Sequence, residues 1–265
     1  MHILVCKPEN FEIIEPINPT EVITFAQGIS KKNLNNQHAD FCKALVKNKQ
    51  TIDYVPTKKE LPEQTFVRDV CFEINNIIFI CKMKEPIRQQ EAKAVHEYLL
   101  TQEFSKHKQF VEMEHCIEGG DVFVCGKTLF IGVGNRTTKE AVNQLKTYLP
   151  DYKIHMINLT KVSLHLDCAL GILDEKTAFV HKIGIDKKGY SLLEKHFEEL
   201  LEITSEENDK LATNFLKADN IVFCNKHCER INSLIKERGY KIVPLEFSEL
   251  CKLGGCFRCC VQTIE

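Results

Sequence analysis

Apolar and polar positions recur in one order along most of the chain from Phe66 onward. A stretch opened by polar residues leads into a short turn, a second apolar stretch, and a segment whose apolar residues lie three or four positions apart. Alternation with a period of two is typical of a β-strand, and the wider spacing is typical of an amphipathic helix. The pattern predicts a strand–strand–helix unit, and its first copy comprises strands at 66–72 and 77–81 and a helix at 86–100.

Further copies of this unit follow, and the N-terminal segment supplies the elements that the last copy lacks. The second copy is predicted to have strands at 118–125 and 128–132 and a helix at 138–149; the third, strands at 164–167 and 177–181 and a helix at 191–201; the fourth, an opening at 211–214, a strand at 220–224, a helix at 226–238 and a strand at 240–244. The fifth copy opens at Gly254, and Phe257, Cys259 and Val261 alternate there like a last strand. Strand 3–6, turns around the prolines at 8–19, helix 36–47 and strand 51–55 are predicted near the N-terminus.

The spacing of the polar openers indicates a repeat architecture. Intervals of 52, 46, 47 and 45 residues separate Asp69, Asp121, Asp167, Asn214 and Cys259. A period of this size is typical of a propeller, in which each unit is too small to bury its own apolar face and must pack against its neighbours. We therefore expect one α/β domain over residues 1–265, with strands lining the centre, helices on the outside, and the polar openers of five units meeting near the axis.

The bulk composition excludes several classes of partner. The 265 residues carry a net charge of -2, from 35 Lys and Arg against 37 Asp and Glu, without a basic block, so nucleic acid is not an expected partner. No apolar stretch approaches the ~20 residues that a membrane helix needs, and the N-terminal apolar run is too short for a signal peptide. Thirteen cysteines, an odd number without a framework spacing, then predict reduced thiols and a cytoplasmic location.

A thiol and an imidazole stand out as the candidate reacting groups. Cys259 follows a Gly254-Gly255 turn and lies beside an arginine, and His165 belongs to the set of residues expected at the axis. Together they offer a nucleophile and a proton carrier.

Most of the other residues expected at the axis are carboxylates, namely Asp69, Glu118, Asp121 and Asp167, with Asn214 as an amide. Such a pocket repels an anion but suits a planar delocalised cation held by charge-assisted hydrogen bonds, and a guanidinium is such a cation. Attack of the Cys259 thiolate on the guanidinium carbon cancels charge. His165 would protonate the departing nitrogen, leaving a covalent thiouronium, and then activate the water that releases a ureido product. These steps require neither a metal ion nor a cofactor.

Two arginines repeat the period of the acids. Arg88 lies 19 residues after Asp69, and Arg136 lies 18 residues after Glu118, each at a predicted strand-to-helix junction. Basic residues beside a cation pocket are expected if the substrate carries a carboxylate at its far end. We therefore predict that Arg88 and Arg136 bind that carboxylate.

Five short motifs stand in a recognisable order: Glu118-Gly119-Gly120-Asp121, Gly132…Asn135-Arg136-Thr137, His165-Leu166-Asp167, Ala212-Thr213-Asn214 and Gly254-Gly255…Arg258-Cys259. On these motifs, the chain from about Phe66 to its end resembles the arginine deiminase and dimethylarginine dimethylaminohydrolase group. This is the guanidine-modifying (pentein) superfamily of five-bladed α/β-propellers built from ββαβ-type repeats around a central active site. The resemblance implies the nucleophile Cys259, the acid/base His165, the guanidinium-binding acids Asp69, Glu118 and Asp167, and the carboxylate-binding Arg88 and Arg136.

The residue two positions after His165 guides the prediction of substrate. Arginine deiminases have an aspartate at that place, as here with Asp167, whereas dimethylarginine hydrolases tend to have a lysine. We therefore expect a small guanidino amino acid such as arginine as substrate, giving a citrulline-type product and ammonia, with methylarginine as the alternative, giving citrulline and dimethylamine. Transfer of the amidino group to an amine remains open, and either a monomer or a homodimer is compatible with the sequence.

Two readings of a different class compete with this one. A zinc module could be formed from Cys251, Cys256, Cys259 and Cys260, with Cys224, His227 and Cys228. Adjacent cysteines on a strand would point to opposite faces, which speaks against that module. A non-catalytic propeller of the same fold is the other reading, and the presence of the thiol, the imidazole and the acids speaks against it.

Overall fold

A computed structural model describes residues 2–265, and this part of the chain forms five three-stranded sheets. The strands are β1 (His2–Val5), β2 (Thr51–Tyr54), β3 (Cys71–Ile74), β4 (Ile77–Lys82), β5 (Gln109–Cys116), β6 (Val122–Cys125), β7 (Thr128–Val133), β8 (Lys153–Asn158), β9 (Leu170–Ile172), β10 (Thr177–Val180), β11 (Glu199–Glu202), β12 (Leu216–Ala218), β13 (Ile221–Asn225), β14 (Lys241–Leu245) and β15 (Gln262–Ile264). The α-helices are α1 (Pro19–Gln27), α2 (Lys31–Lys47), α3 (Val67–Val70), α4 (Gln89–Leu100), α5 (Lys139–Tyr148), α6 (Lys187–His196), α7 (Ser205–Asp209), α8 (Glu229–Glu237) and α9 (Ser248–Cys251).

All five blades share one topology. The middle strand pairs antiparallel with one neighbour and parallel with the other, and helices join the middle strand to its parallel partner. The fifth blade uses both ends of the chain, because β1 pairs antiparallel with β15, placing His2 opposite Ile264, and parallel with β2. The predicted five-bladed α/β-propeller of ββαβ repeats, completed by the N-terminal segment, is therefore confirmed.

The middle strands bury a large side chain at the same position in every blade. The third residue of the strand is fully buried in each case, and these residues are Leu4, Phe79, Phe130, Phe179 and Phe223. Burying a side chain of this kind stabilises the fold by about 1.5–3 kcal/mol relative to leaving it exposed. Because each unit buries this side chain only by packing against its neighbours, the five units close into a ring.

The polar openers lie in helical turns that precede the strands, so the predicted strands at 66–72, 118–125, 164–167 and 257–261 are wrong in part. Asp69 lies in α3, two short 3-10 helices at Gly119–Asp121 and Leu166–Cys168 carry the next acids, and β15 begins only at Gln262. A helical turn pairs its own backbone, as in the Asp121 N–H donated to the Glu118 carbonyl at 3.0 Å. Such a segment can be buried near the axis without a strand partner.

Other element bounds differ where apolar spacing continues across a boundary. The helix predicted at 191–201 is α6, which begins after its N-cap Asp186, whose carboxylate accepts the Gly189 N–H at 2.7 Å, and residues 199–202 form β11. The helix predicted at 36–47 begins at Lys31. The strands β5 and β8 were not predicted. Each of them follows a helix whose spacing of apolar residues is the stronger local pattern.

Helix α1 falls where only turns were predicted. Asn18 caps it by accepting the Glu21 N–H at 2.8 Å, and Pro19 occupies its first position. These are ordinary helix-start signals, but three nearby prolines obscured them. Within residues 2–265, none of the helices is both long enough and apolar enough to cross a membrane.

Candidate active site

The turns that precede the strands bring the predicted reacting groups to one small pocket. Cys259, His165 and Asp69 line it, together with the guanidinium-bearing Arg88 and Arg136. The cavity measures about 20 Å³, and all five side chains are at least nine-tenths buried. The fold therefore brings Asp69, His165 and Cys259, which lie far apart in sequence, to one pocket.

His165 is held between two carboxylates. Its Nε2 lies 2.7 Å from Glu118 Oε2, and its Nδ1 lies 3.7 Å from Asp69 Oδ1. Burial alone would lower the pKa of His165, but the charges of Asp69 and Glu118 and the hydrogen bond to Glu118 raise it to about 10. The imidazole is therefore protonated at neutral pH and ready to donate a proton.

Glu118 is the ionised partner that orients this imidazolium. Burial alone would raise its pKa, yet the hydrogen bond with His165 and the nearby charge of Arg136 lower it to about 2. The Arg136 Nη1 lies 3.2 Å from Glu118 Oε2, and the Lys84 N–H donates to Oε1 at 3.1 Å. Both oxygens of this carboxylate are thus engaged by protein donors, an arrangement that orients the imidazole.

Two glycines allow His165 and Asp69 to come this close. A Cβ on Gly120 would lie 2.8 Å from His165 Nδ1 and 2.9 Å from Asp69 Oδ1, and a Cβ on Gly119 would collide with the Arg68 carbonyl. Any larger residue would displace the acid or the imidazole. The Gly119-Gly120 pair is therefore needed for the packing of the site, beyond forming a turn.

The Cys259 thiol lies on the opposite side of the pocket. Asn214 Nδ2 donates to its Sγ at 3.1 Å, and Asn214 Oδ1 accepts the Cys259 N–H at 3.3 Å. Asp167 Oδ2 lies 3.9 Å from the Sγ. Burial, together with the charges of Asp167 and Asp69, raises the pKa of Cys259 well above its usual range, so the resting form is the neutral thiol.

Asp167 has a cationic partner that sequence reasoning left without a role. Arg258 Nη1 donates to Asp167 Oδ2 at 2.7 Å, while its Nη2 donates to the Val122 carbonyl at 2.7 Å and its guanidinium stacks on the Phe123 ring at 4.0 Å. The only sequence signal was the position of Arg258 next to Cys259. Asp167 is thus not an unpaired acid, although it lies beside the thiol as predicted.

Arg88 and Arg136 reach the pocket, but their hydrogen bonds go to protein groups. Arg88 donates to Asp69 Oδ2 at 2.8 Å and to Glu91 at 2.9 Å, and lies 3.6 Å from Glu63. Arg136 pairs with Glu118. That these arginines bind a substrate carboxylate stays a prediction. It requires either guanidinium N–H groups that are not engaged now or a rearrangement of the present hydrogen bonds. The acids Glu63 and Glu91 gave no signal in the sequence, because neither shares the repeat period.

Asp69 differs from the other acids in keeping one oxygen unused. Its Oδ2 accepts from Arg88, whereas its buried Oδ1 has no hydrogen-bond partner within the described residues. A buried unpaired carboxylate oxygen is costly, and its cost is relieved when a donor arrives. This atom is the clearest acceptor for a cationic ligand in the pocket.

Asp121 was predicted to bind substrate, and the structure places it behind the pocket. Its Oδ1 accepts the Leu166 N–H at 2.8 Å and its Oδ2 accepts from the Thr137 hydroxyl at 2.6 Å. These bonds fix the turn that carries His165. Burial raises the pKa of Asp121 to about 7. These contacts give Asp121 a structural role in holding the His165 turn, and its predicted contact with substrate stays a prediction.

Two segments far apart in sequence cover the pocket. Ile17 and Asn18 lie just before α1, and residues 253–255 lie before Cys259. The Ile17 carbonyl accepts from Arg136 Nη2 at 2.7 Å, and Asn18 Nδ2 donates to the Leu253 carbonyl at 3.4 Å. We call Ile17, Asn18 and residues 253–255 the cover. It could not be predicted from the sequence, because Ile17 and Asn18 precede the repeat pattern.

Across the part of the chain that the structure describes, the cysteines of the alternative zinc module do not form a set of three or more close ligands, although Cys251 Sγ and Cys256 Sγ lie 3.6 Å apart. Within residues 2–265, the set of three or more close potential ligands is Asp69, Glu118 and His165, whose atoms lie within 4.8 Å of one another. Their charges are balanced here by Arg88, by Arg136 and by the protonated imidazole itself. These three residues thus belong to a carboxylate-rich pocket whose cations are protein side chains.

Comparison with known proteins places the chain in a family. A family model described as N,N dimethylarginine dimethylhydrolase, eukaryotic, matches residues 10–265. The chain is 32% identical over 266 residues to the uncharacterised protein YkgA of Bacillus subtilis (strain 168), covering 99% of this chain and 91% of that protein. It is 24% identical to the N(G),N(G)-dimethylarginine dimethylaminohydrolase of Pseudomonas aeruginosa, over 84% of this chain and 85% of that protein.

A solved structure extends the likeness to the fold. The N-terminal domain of ArgZ, a cyanobacterial arginine dihydrolase with product bound, matches with a TM-score of 0.88 at 18% identity, covering 98% of this chain and 96% of that chain. With the family match extending over almost all residues, the chain belongs to the N,N-dimethylarginine dimethylhydrolase family, within the guanidine-modifying (pentein) superfamily of hydrolases that act on carbon–nitrogen bonds.

Proposed function

We propose that this protein hydrolyses a carbon–nitrogen bond of a guanidino amino acid, with Cys259 as nucleophile and His165 as acid/base. The observation that carries the proposal is the pocket itself: a buried thiol and a protonated imidazole line the same cavity, and within the described residues a buried carboxylate oxygen of Asp69 has no hydrogen-bond partner. The match to a dimethylarginine hydrolase family supports the same class of reaction.

The charge of the pocket supports a cationic substrate. Burial and then the charges of Asp167 and Asp69 raise the pKa of Cys259, so an anionic or neutral substrate would meet an unreactive thiol. A guanidinium beside Asp69 and Asp167 offsets their charge, which lowers the thiol pKa when substrate binds. The thiol proton then leaves to solvent, and the nucleophile is generated where it is used.

The chemical steps follow from the two reacting groups. The Cys259 sulfur forms a bond to the guanidinium carbon, and the bond from that carbon to one terminal nitrogen breaks. His165 donates its proton to that nitrogen, which departs as ammonia or an amine and leaves a thiouronium. His165, now neutral, takes one proton from water, and the water oxygen bonds to the same carbon. The carbon–sulfur bond then breaks, the remaining hydroxyl proton passes to the departing sulfur, and the ureido product and the Cys259 thiol are released.

Asp167 favours an unsubstituted guanidinium as the substrate. A buried carboxylate near the nucleophile can accept hydrogen bonds from terminal N–H groups, and two methyl groups on that nitrogen would remove both donors. A site that hydrogen-bonds N–H groups rejects an analogue lacking them strongly. We therefore favour arginine over asymmetric dimethylarginine, while the family match keeps the dimethylated compound as the second candidate.

Binding requires the pocket to open. A cavity of about 20 Å³ has room for about one water molecule and none for an arginine side chain. The Ile17 carbonyl accepts a hydrogen bond from Arg136, which ties the first cover segment to the site, and the Leu253 carbonyl accepts one from Asn18, which ties the two cover segments to each other. Displacement of these two segments is the smallest change that would admit the substrate.

A panel of substrates tests the proposal. Arginine, asymmetric dimethylarginine and agmatine are incubated separately with the protein, and citrulline, ammonia, dimethylamine and ornithine are measured. We expect kcat/KM for arginine to exceed that for the dimethylated compound by at least about tenfold, and the Asp167→Asn variant to narrow the gap. A wild-type preference for asymmetric dimethylarginine would instead assign the second candidate.

The same panel separates hydrolysis from its alternatives. Ornithine formed only when an acceptor amine is present would indicate amidino transfer, and ornithine with ammonia in its absence would indicate hydrolysis beyond the ureido product. No product from any guanidino compound would overturn the proposed function.

A further inference from the structure

Arg258 occupies a position between the nucleophile and a second cavity. Its guanidinium lines a cavity of about 560 Å³ that Arg68 and Phe123 also line, and its Nη1 holds Asp167 Oδ2 at 2.7 Å. That same oxygen lies 3.9 Å from Cys259 Sγ. Arg258 therefore touches the charge nearest the thiol while staying outside the pocket that holds His165.

Several contacts make this arrangement rigid. The Arg258 N–H donates to Asn214 Oδ1 at 3.1 Å, and the Cys259 N–H donates to the same oxygen at 3.3 Å. The guanidinium is held from two further sides by the Val122 carbonyl and the Phe123 ring. A planar fork fixed in this way orients a carboxylate far better than a flexible ammonium does.

We propose that Arg258 is a positioning residue of the reaction, which fixes the Asp167 carboxylate beside Cys259 and offsets its charge so that the thiol can ionise. This rests on the proposed function in taking Cys259 as the reacting thiol. Neither the sequence motifs nor the family match gives Arg258 a role of its own. It acts through Asp167 and has no contact with the substrate.

The other charges around the thiol do not replace Arg258. Asp69 adds to the negative potential at Cys259, and the cations nearest to Asp69 are already paired with it or with Glu118. On the far side of Asp167 the remaining cation is Arg68, whose pKa is lowered to about 9 by burial and by the charge of Arg258. The charged and titratable groups that face the Asp167–Cys259 pair are thus Arg258, Arg68, Asp69, Cys168 and, across the pocket, His165.

Alkylation of the Cys259 thiol measures this role without any turnover. Only the thiolate reacts with iodoacetamide, so at a pH below the thiol pKa the rate is proportional to the thiolate fraction. The rate is followed from pH 7 to pH 9 by fragment-ion mass spectrometry of the peptide that contains Cys259. Loss of the charge that offsets Asp167 should raise the thiol pKa by about one unit, and the rate at each pH should then fall about tenfold.

Four variants isolate the effect. Arg258→Gln should react about tenfold more slowly than wild type, whereas Arg258→Lys, which keeps the charge without the fork, should recover most of the rate. Asp167→Asn should react faster than wild type, because it removes the opposing charge. Adding Arg258→Gln to Asp167→Asn should then leave the alkylation rate unchanged, since Arg258 acts through Asp167.

A matched control removes a similar ion pair elsewhere. Arg238 pairs with Glu199 at 2.8 Å on the surface, and Arg238→Gln should leave the alkylation rate unchanged. Melting temperatures of all variants distinguish loss of folding from loss of positioning. An Arg258→Gln rate equal to wild type, or a slowing that persists in the Asp167→Asn background, would overturn the inference. Failure of the substrate panel would leave these rates interpretable, because they require no substrate.

Discussion

The imidazole and the thiol of the pocket both have a raised pKa, but they end with different charges. Asp69 and Glu118 raise the pKa of His165 against the effect of burial and keep the imidazole charged. Burial, with the charges of Asp167 and Asp69, raises the pKa of Cys259 and keeps the thiol neutral. A negative potential stabilises a bound proton on either group, whatever the charge that results.

This comparison shows what the resting pocket lacks. Both reacting groups hold their protons, so the acid is ready and the nucleophile is not. Each carboxylate also has an arginine partner: Arg88 for Asp69, Arg136 for Glu118 and Arg258 for Asp167. Within residues 2–265, Asp69 Oδ1 is the oxygen of these three carboxylates that has no hydrogen-bond partner. Under the proposed function, a substrate cation would supply both a donor to this oxygen and the charge that lowers the thiol pKa.

The largest effect is expected on the nucleophile side. Cys259→Ser should abolish measurable turnover, because a serine hydroxyl has no easily formed anion in this field of carboxylates, while substrate still binds through the acids. Calorimetry checks the binding, and product assays check the turnover. A haloacetamidine adduct should map to Cys259 in the wild type; an adduct at Cys256 or Cys260, or an active Cys259→Ser protein, would assign the thiol elsewhere.

A smaller and pH-dependent effect is expected on the imidazole side. With Glu118→Gln, the pKa of His165 should fall from about 10 toward its usual range, since the strongest partner of the imidazolium loses its charge. The alkaline decline of kcat should then move to lower pH, with a loss of about tenfold to a hundredfold at pH 9 and a smaller loss at pH 6. A loss equal at all pH values would contradict this role. Glu199→Gln, at a surface ion pair, serves as the control.

The effect expected at Arg136, which connects the imidazole side to the cover, is largest for substrates that carry a carboxylate. If Arg136 also binds the substrate carboxylate, Arg136→Ala removes a charge-assisted bond of ~1.5–3 kcal/mol, and kcat/KM for arginine should fall at least about tenfold. Agmatine lacks the carboxylate and should lose much less. Equal losses on arginine and agmatine would show that Arg136 matters only through Glu118 and the Ile17 carbonyl.

Much of the fold could be predicted from the sequence, because its signals are local and repeated. Strand alternation and helical spacing recur with one period, and the buried third residue of each middle strand, such as Phe79 or Phe130, marks that period in the interior. The turns at Asp69 and Asp167 could not be told from strands. Their residues alternate like a strand, and only the absence of a pairing partner near the axis makes them helical.

The candidate site divides in the same way. The residue types and their period identified Cys259, His165 and the acids, since these chemistries at one spacing are rarely coincidental. The partner of each acid was beyond the sequence. Arg258 and Asp167 are separated by 91 positions, and Arg88 reaches Glu91 and Glu63 as well as Asp69, contacts that exist only after the blades close.

The sequence by itself determined the ring of five units and which chemical groups meet at its centre, because periodicity and residue type survive without coordinates. The tertiary structure alone decided the protonation of those groups. A pKa depends on burial and on the distance to every neighbouring charge, and both depend on residues such as Glu118 and Arg136 that the chain brings together only on folding. It likewise decided that Ile17 and Asn18 close the pocket, since a cover is set by packing between distant segments and leaves no periodic trace.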